Sequence, residues 1–141
     1  MEGNVGERIR LLISVRRKLQ AQLIFCQLSC DGNRKNGVPY DYLVRIHRLL
    51  EGIDGLLLLV SEEERCIIEL HLVEGMKWET VMEEYCKRWA SEMSRVERTY
   101  KYRQQGALRK MEDYIERYAD IFDFSWLDDP LIDELAALNR K

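Results

Sequence analysis

Histidine and proline are nearly missing from this sequence of 141 residues, which holds two of each. His47 and His71 stand far apart, and there is no His-Glu-x-x-His, no Gly-rich phosphate loop and no nucleophile elbow. Carboxylate pairs such as Glu83-Glu84 and Asp128-Asp129 are adjacent, and adjacent residues on a helix point apart instead of converging. The expectation is a protein without catalytic residues, metal ligands or cofactors, and not an enzyme. Cys26, Cys30, Cys66 and Cys86 lack the paired C-x-x-C spacing of a zinc site and read as buried free thiols. Long apolar runs are also lacking. The longest covers residues 56–60, far short of the ~20 residues that span a bilayer. The opening MEGNVGE is no basic-then-apolar leader. A cytoplasmic protein with no membrane contact is expected.

The scarcity of proline also leaves long stretches free to be helical. The hairpin dipeptides Asp31-Gly32 and Asn36-Gly37 fall inside one polar loop, DGNRKNGVP, and not between alternating strands. The class expected is therefore all-α. A long helix over 4–30 has Ile9, Leu12, Ile13, Arg16, Leu19, Leu23, Cys26 and Cys30 near one face. Its first half is basic, through Arg8, Arg10, Arg16, Arg17 and Lys18, which would be solvated or would reach phosphates. A second long helix over 40–60 repeats Leu43, Ile46, Leu50, Ile53, Leu57 and Val60. Gly52 and Gly55 on it cost about 1 kcal/mol each and predict close approach of another helix. Residues 1–60 thus form a helical hairpin for support or dimerisation.

Residues 61–118 carry the sharper pattern. Ser61 and Glu64 form a capping box, and Cys66, Ile67, Leu70 and Val73 give one apolar face. Gly75 ends that helix. A second helix shows Trp78, Val81, Met82, Tyr85 and Trp89 as a buried stripe. On a third helix, at about 100° per residue, Val96, Tyr100, Gln104, Ala107, Leu108, Met111, Ile115 and Tyr118 share one side. Arg95, Arg98, Tyr102, Gln105 and Arg109 share the opposite side, with Lys101 beside them. Arg can fork onto a phosphate or onto guanine, Gln can pair with adenine, and Tyr can bond a phosphate.

Charge follows the same division. Between 86 and 110 eight Lys/Arg, including Lys87 and Arg88, face two Glu; between 62 and 84 eight Glu face two basic residues. A phosphate backbone would be drawn to the first segment and repelled by the second, which sets orientation as well as affinity.

A helix closing on VEG, then KWETVMEEY, then RTYKYRQQGALRKM resembles sigma-factor region-four-like helix-turn-helix proteins, and more closely small phage-encoded transcriptional regulators of the ArpU and RinA type. The likeness covers roughly residues 61–115. It implies that Lys77-Trp78-Glu79 open the supporting helix and that the helix carrying Tyr100-Lys101-Tyr102-Arg103 and Ala107-Leu108 is the recognition helix. The chain departs from the pattern in CKRWASEMSRVE, which is longer than a tight turn needs. Either the second helix runs on to about Ala90 and turns at 91–94, or the motif is remodelled there; Ser91 and Ser94 are candidate caps.

Residues 119–141 are acidic and aromatic. Ile121, Phe122, Phe124, Trp126 and Leu127 would pack back on the core, or the segment would dock on a partner. Asp128 and Asp129 would cap a last short helix. The function expected is a sequence-specific DNA-binding transcriptional regulator reading the major groove of double-stranded DNA through Arg95, Arg98, Lys101, Tyr102, Gln105 and Arg109, with Lys87 and Arg88 near by. The alternatives are a module that binds RNA polymerase or another protein through the acidic C-terminus, and a phage DNA-packaging subunit. A second copy of the chain is a further candidate partner.

Overall fold

Ser14 breaks the first long helix. In the computed structural model, which describes residues 4–30, 40–89 and 96–138, its Oγ donates to the Leu11 carbonyl at 2.6 Å. Such back-bonding competes with the helix ladder and bends it. Val15 then leaves helical geometry (φ −99°, ψ 9°) and is wholly buried. The helix expected over 4–30 is therefore two, α1 (Val5–Ser14) and α2 (Arg16–Cys30). The polar loop expected over 31–39 lies outside the described residues; next come α3 (Tyr40–Leu57), α4 (Glu62–Ile68) with a π-helical continuation (Glu69–Val73), α5 (Trp78–Trp89) and α6 (Glu97–Tyr118). A 3-10 turn (Ser125–Asp128) and α7 (Pro130–Ala137) complete it. Every element among the described residues is helical, so the protein is all-α. No helix among them is long and apolar enough to cross a membrane.

Two apolar clusters divide the molecule. The larger joins Ile9, Leu12, Ile13, Leu19 and Cys26 to Ile46, Leu49, Ile53, Leu56 and Leu57 of α3, to the second half of α6, and to Leu127, Leu131, Ile132 and Leu135. The C-terminal segment is thus part of the core: α1 packs against α6, α7 and the 3-10 turn. Of Ile121, Phe122, Phe124, Trp126 and Leu127, however, the first two stay exposed, Phe124 and Trp126 are half-buried, and Leu127 alone is fully buried. The smaller cluster holds Cys66, Ile67, Leu70, Val81, Tyr85 and Tyr100, drawn from α4, the π turn, α5 and the start of α6. Tyr85 and Tyr100 meet edge to face, with ring centroids 5.4 Å apart.

Polar groups lock the C-terminal segment down. Asp129 caps α7 by accepting from the Leu131 amide at 2.8 Å and takes both Arg45 Nε and Nη2, at 3.1 and 2.6 Å. Burial opposes its charge, but Arg45 and the Leu131 amide hold its carboxyl below the usual range. Asp128, the other cap candidate, stays on the exposed side of the turn. Arg8 donates to the Leu127 carbonyl at 2.9 Å and to Asp133 at 2.6 Å, and Lys18 donates to the Leu135 carbonyl at 2.7 Å. Arg16 pairs with Asp54 and Glu69, and Arg17 with Glu74. Most of the basic face of the first helix therefore serves the fold and is not left for phosphates.

The two α3 glycines differ. A Cβ on Gly52 would lie 2.6 Å from the Trp126 ring, so the close approach comes from the 3-10 turn and not from another helix. A Cβ on Gly55 would meet nothing within 4 Å.

Candidate nucleic-acid interface

The three-helix unit starts where the sequence places it. Ser61 Oγ accepts from the Glu64 amide at 3.1 Å, and Glu64 Oε1 accepts from the Ser61 amide at 2.9 Å, closing the capping box. The far end differs from the simple α-helix expected. Its last five residues, Glu69–Val73, are π-helical, with the Glu74 amide reaching the Glu69 carbonyl at 2.9 Å. Gly75, at φ +69°, turns the chain, and the Met76 amide bonds the Leu70 carbonyl at 3.0 Å. A β-carbon would be strained in that left-handed conformation, which is why glycine stands there.

His71, on the wide turn, stacks on Trp78 at 3.9 Å between centroids. Its Nδ1 lies 3.0 Å from Gln104 Oε1; an amide oxygen only accepts, so Nδ1 carries the proton. Burial pushes the imidazole pKa below its ordinary value, and Arg10 and Lys101 add to that against the Gln104 hydrogen bond. His71 is thus a neutral strut between the turn and α6. It accounts for Gln104, the one buried polar residue of α6. The pattern had placed Gln104 on the apolar face; an amide there demands a partner, and that demand was the only sequence signal of the strut.

A second strut fixes α6 to α4 and α5. Tyr85 OH donates to Glu63 Oε2 at 2.8 Å, and Arg103 Nη1 donates to both, at 3.2 Å to Glu63 and 2.8 Å to Tyr85. Lys110 donates to Glu64 at 2.8 Å. Burial would raise the Glu64 pKa, yet Lys110 and Ser61 hold it below the usual range. Burial and the neighbouring Cys86 thiol push the Tyr100 phenol up to about 12, so it stays protonated. The glutamates that looked like a repulsive flank in the sequence thus neutralise two of the basic residues of α6.

The predicted contact residues separate into three groups. Arg98, Tyr102, Gln105 and Arg109 all lie exposed along α6, Tyr102 at 75%, and none of their side chains has a hydrogen bond or ion pair among the described residues. They are brought together as one open stripe. Lys101 beside them pairs with Glu97 at 2.7 Å within the same helix. Lys87 pairs with Glu84 at 3.3 Å on α5, while Arg88 lines a different surface, a polar cleft with Arg16, Cys66 and Glu69. Arg95 lies outside the described residues, as do the cap candidates Ser91 and Ser94 and half of the lengthened joint. The residue in the cap position of α6 is Val96, without a side-chain cap and 57% exposed, not on the core face where the periodicity put it.

Two further features shape this surface. Arg10 on α1 is exposed and acts on the same His71 as Lys101, so it adds positive potential beside α6. Past Arg109 the outer side of α6 turns acidic, with Asp113 and Glu116 exposed. The positive stripe therefore occupies only the first half of the helix. Compared with known proteins, the chain matches no family model, no curated protein and no solved structure.

Proposed function

We propose that the protein is a sequence-specific DNA-binding transcriptional regulator that seats the first half of α6 in the major groove. The observation that carries this reading is the open stripe of Arg98, Tyr102, Gln105 and Arg109 on a helix whose opposite face is fixed by two struts and a core. The stripe runs about 16 Å along the helix at 1.5 Å per residue, and the groove is about 12 Å wide. Arg98 and Arg109 supply forks for guanine or phosphate, Gln105 an amide for adenine, and Tyr102 a phosphate donor. Arg10 and Lys101 flank them as further phosphate contacts. Asp113 and Glu116 keep the rest of α6 off the duplex.

Selection from a random pool of duplex DNA at two salt concentrations tests the reading. The expected result is an enriched motif whose affinity falls as salt rises. The double variant Arg98→Glu, Tyr102→Glu should lose it with its melting temperature near wild type, because neither side chain touches the core. Salt-dependent binding without a motif would favour a packaging subunit over a regulator. Absence of duplex binding would refute the nucleic-acid reading altogether.

A further inference from the structure

We propose that the cleft between the glycine-marked face of α3 and the aromatic segment after α6 is a docking site for a basic amphipathic helix of a second protein. The cleft holds about 320 Å³ and is lined by Gly55, Leu59, Tyr114, Phe122, Phe124 and Trp126, with Glu51 as the charged residue among them. Its floor is closed at Gly52 by the Trp126 ring and open at Gly55, where no described atom comes within 4 Å of a built Cβ. Its wall is an aromatic ladder, Phe122 to Phe124 to Trp126, each step edge to face at 6.3 and 6.1 Å. Phe122 is nonetheless 51% exposed and its neighbour Ile121 67%. Aromatic surface held in order yet left in water marks an interaction site more often than a resting surface.

Charge selects the occupant. Asp120 and Asp123 bracket Ile121-Phe122 and are both exposed. Residues 112–124 carry five carboxylates against Arg117, and Arg48 on α3 acts on Asp123 from across the margin. The net field is negative, so Lys or Arg beside the apolar anchors would be drawn in. A symmetric second copy would set this acidic margin against itself. The basic stripe of another copy offers Arg, Tyr and Gln but no aliphatic knob to fill the floor. A helix with apolar residues three and four apart and basic flanks meets both demands.

The inference is independent of the DNA reading, and its test keeps the two apart. A displayed library of random 12-residue peptides is selected on the wild-type protein and on Gly55→Leu. A Cβ at 55 meets no described atom within 4 Å and leucine favours the helix, so the longer side chain extends into the floor of the cleft; urea titration checks that the fold is kept. The expected peptides carry net positive charge and helically spaced apolar residues, bind at least tenfold more weakly to Gly55→Leu and to Phe122→Ser, and weaken with salt. Duplex binding by Gly55→Leu should be unchanged. Failure of any peptide to enrich, enrichment of neutral or acidic peptides, or equal binding to Gly55→Leu would overturn the proposal. Self-association of the wild-type protein that Gly55→Leu abolishes would assign the cleft to a second copy and overturn it too.

Discussion

Gly106→Ala should stabilise this protein and, under the proposed function, weaken binding to duplex DNA. Gly106 stands in the interior of α6, a helix of 22 residues, on the exposed side between Tyr102 and Arg109. A Cβ there would meet nothing within 4 Å, so no internal contact accounts for the glycine. Alanine at such a site is favoured by about 1 kcal/mol. At the usual unfolding entropy per residue, that raises the melting temperature of a chain this size by about 3 °C. The same methyl would stand beside the open stripe, midway along its length. If base edges approach the bare backbone at Gly106, the methyl holds the helix away and lengthens the Arg and Gln contacts on both sides. A loss of tenfold or more in affinity for the selected duplex, about 1.4 kcal/mol, is expected. Calorimetry gives the first quantity and fluorescence anisotropy the second. A variant more stable than wild type with unchanged affinity would refute close approach at this point and leave α6 contacting DNA through long side chains only. A variant less stable than wild type would show that the glycine serves an internal contact.

Gly52→Ala and Gly55→Ala should move stability in opposite directions. At Gly52 the added methyl meets the Trp126 ring, and a strain of about 1–3 kcal/mol from overpacking outweighs the helix gain; at Gly55 only the gain remains. Urea midpoints that shift the same way would contradict the described contact. For His71, the folded-state pKa lies below the unfolded one, near 6.5. The unfolded chain therefore binds the extra proton first, and stability complete above about pH 6.5 declines as pH falls towards the folded value. His71→Gln should be less stable at pH 7.5 but should lack that part of the slope between pH 7 and 5.5. Parallel slopes for the two proteins in thermal unfolding would exclude His71 as the titrating group.

The periodicity of α6 was legible because one side is apolar throughout and the other is not. Tyr100, Ala107, Met111 and Ile115 are buried, and Arg98, Tyr102, Gln105 and Arg109 are exposed, as the 3.6-residue repeat requires. The capping box at Ser61 was legible because it is local. Interactions between distant residues were not. Arg8, Arg45, Arg103 and Lys110 look alike in a charge count, yet each is committed to a carboxylate far away in sequence. The break at Ser14 escaped notice because it keeps the apolar face: Val15 is buried along with Ile13 and Leu19. The π turn adds its residue without disturbing the buried positions Cys66, Ile67 and Leu70 that announced the helix. Gly52 does mark a close approach, but of the 3-10 turn and not of another helix, and nothing near it in sequence names Trp126.

The latch that ties α1 to residues 127–135 has a consequence for how the chain is made. Part of what covers Ile9, Leu12 and Ile13, namely Leu127, Leu131, Ile132 and Leu135, emerges from the ribosome more than a hundred residues after them. Until then the apolar side of α1 is incompletely sheltered, and Arg8 and Lys18 lack their carbonyl acceptors. The larger core therefore cannot close before residues 127–135 are made, whereas the smaller one, built from residues 66–100, is complete in sequence earlier. A product that stops short of Leu127 leaves that surface open to chaperones and proteases, so truncated copies should be cleared rather than accumulate.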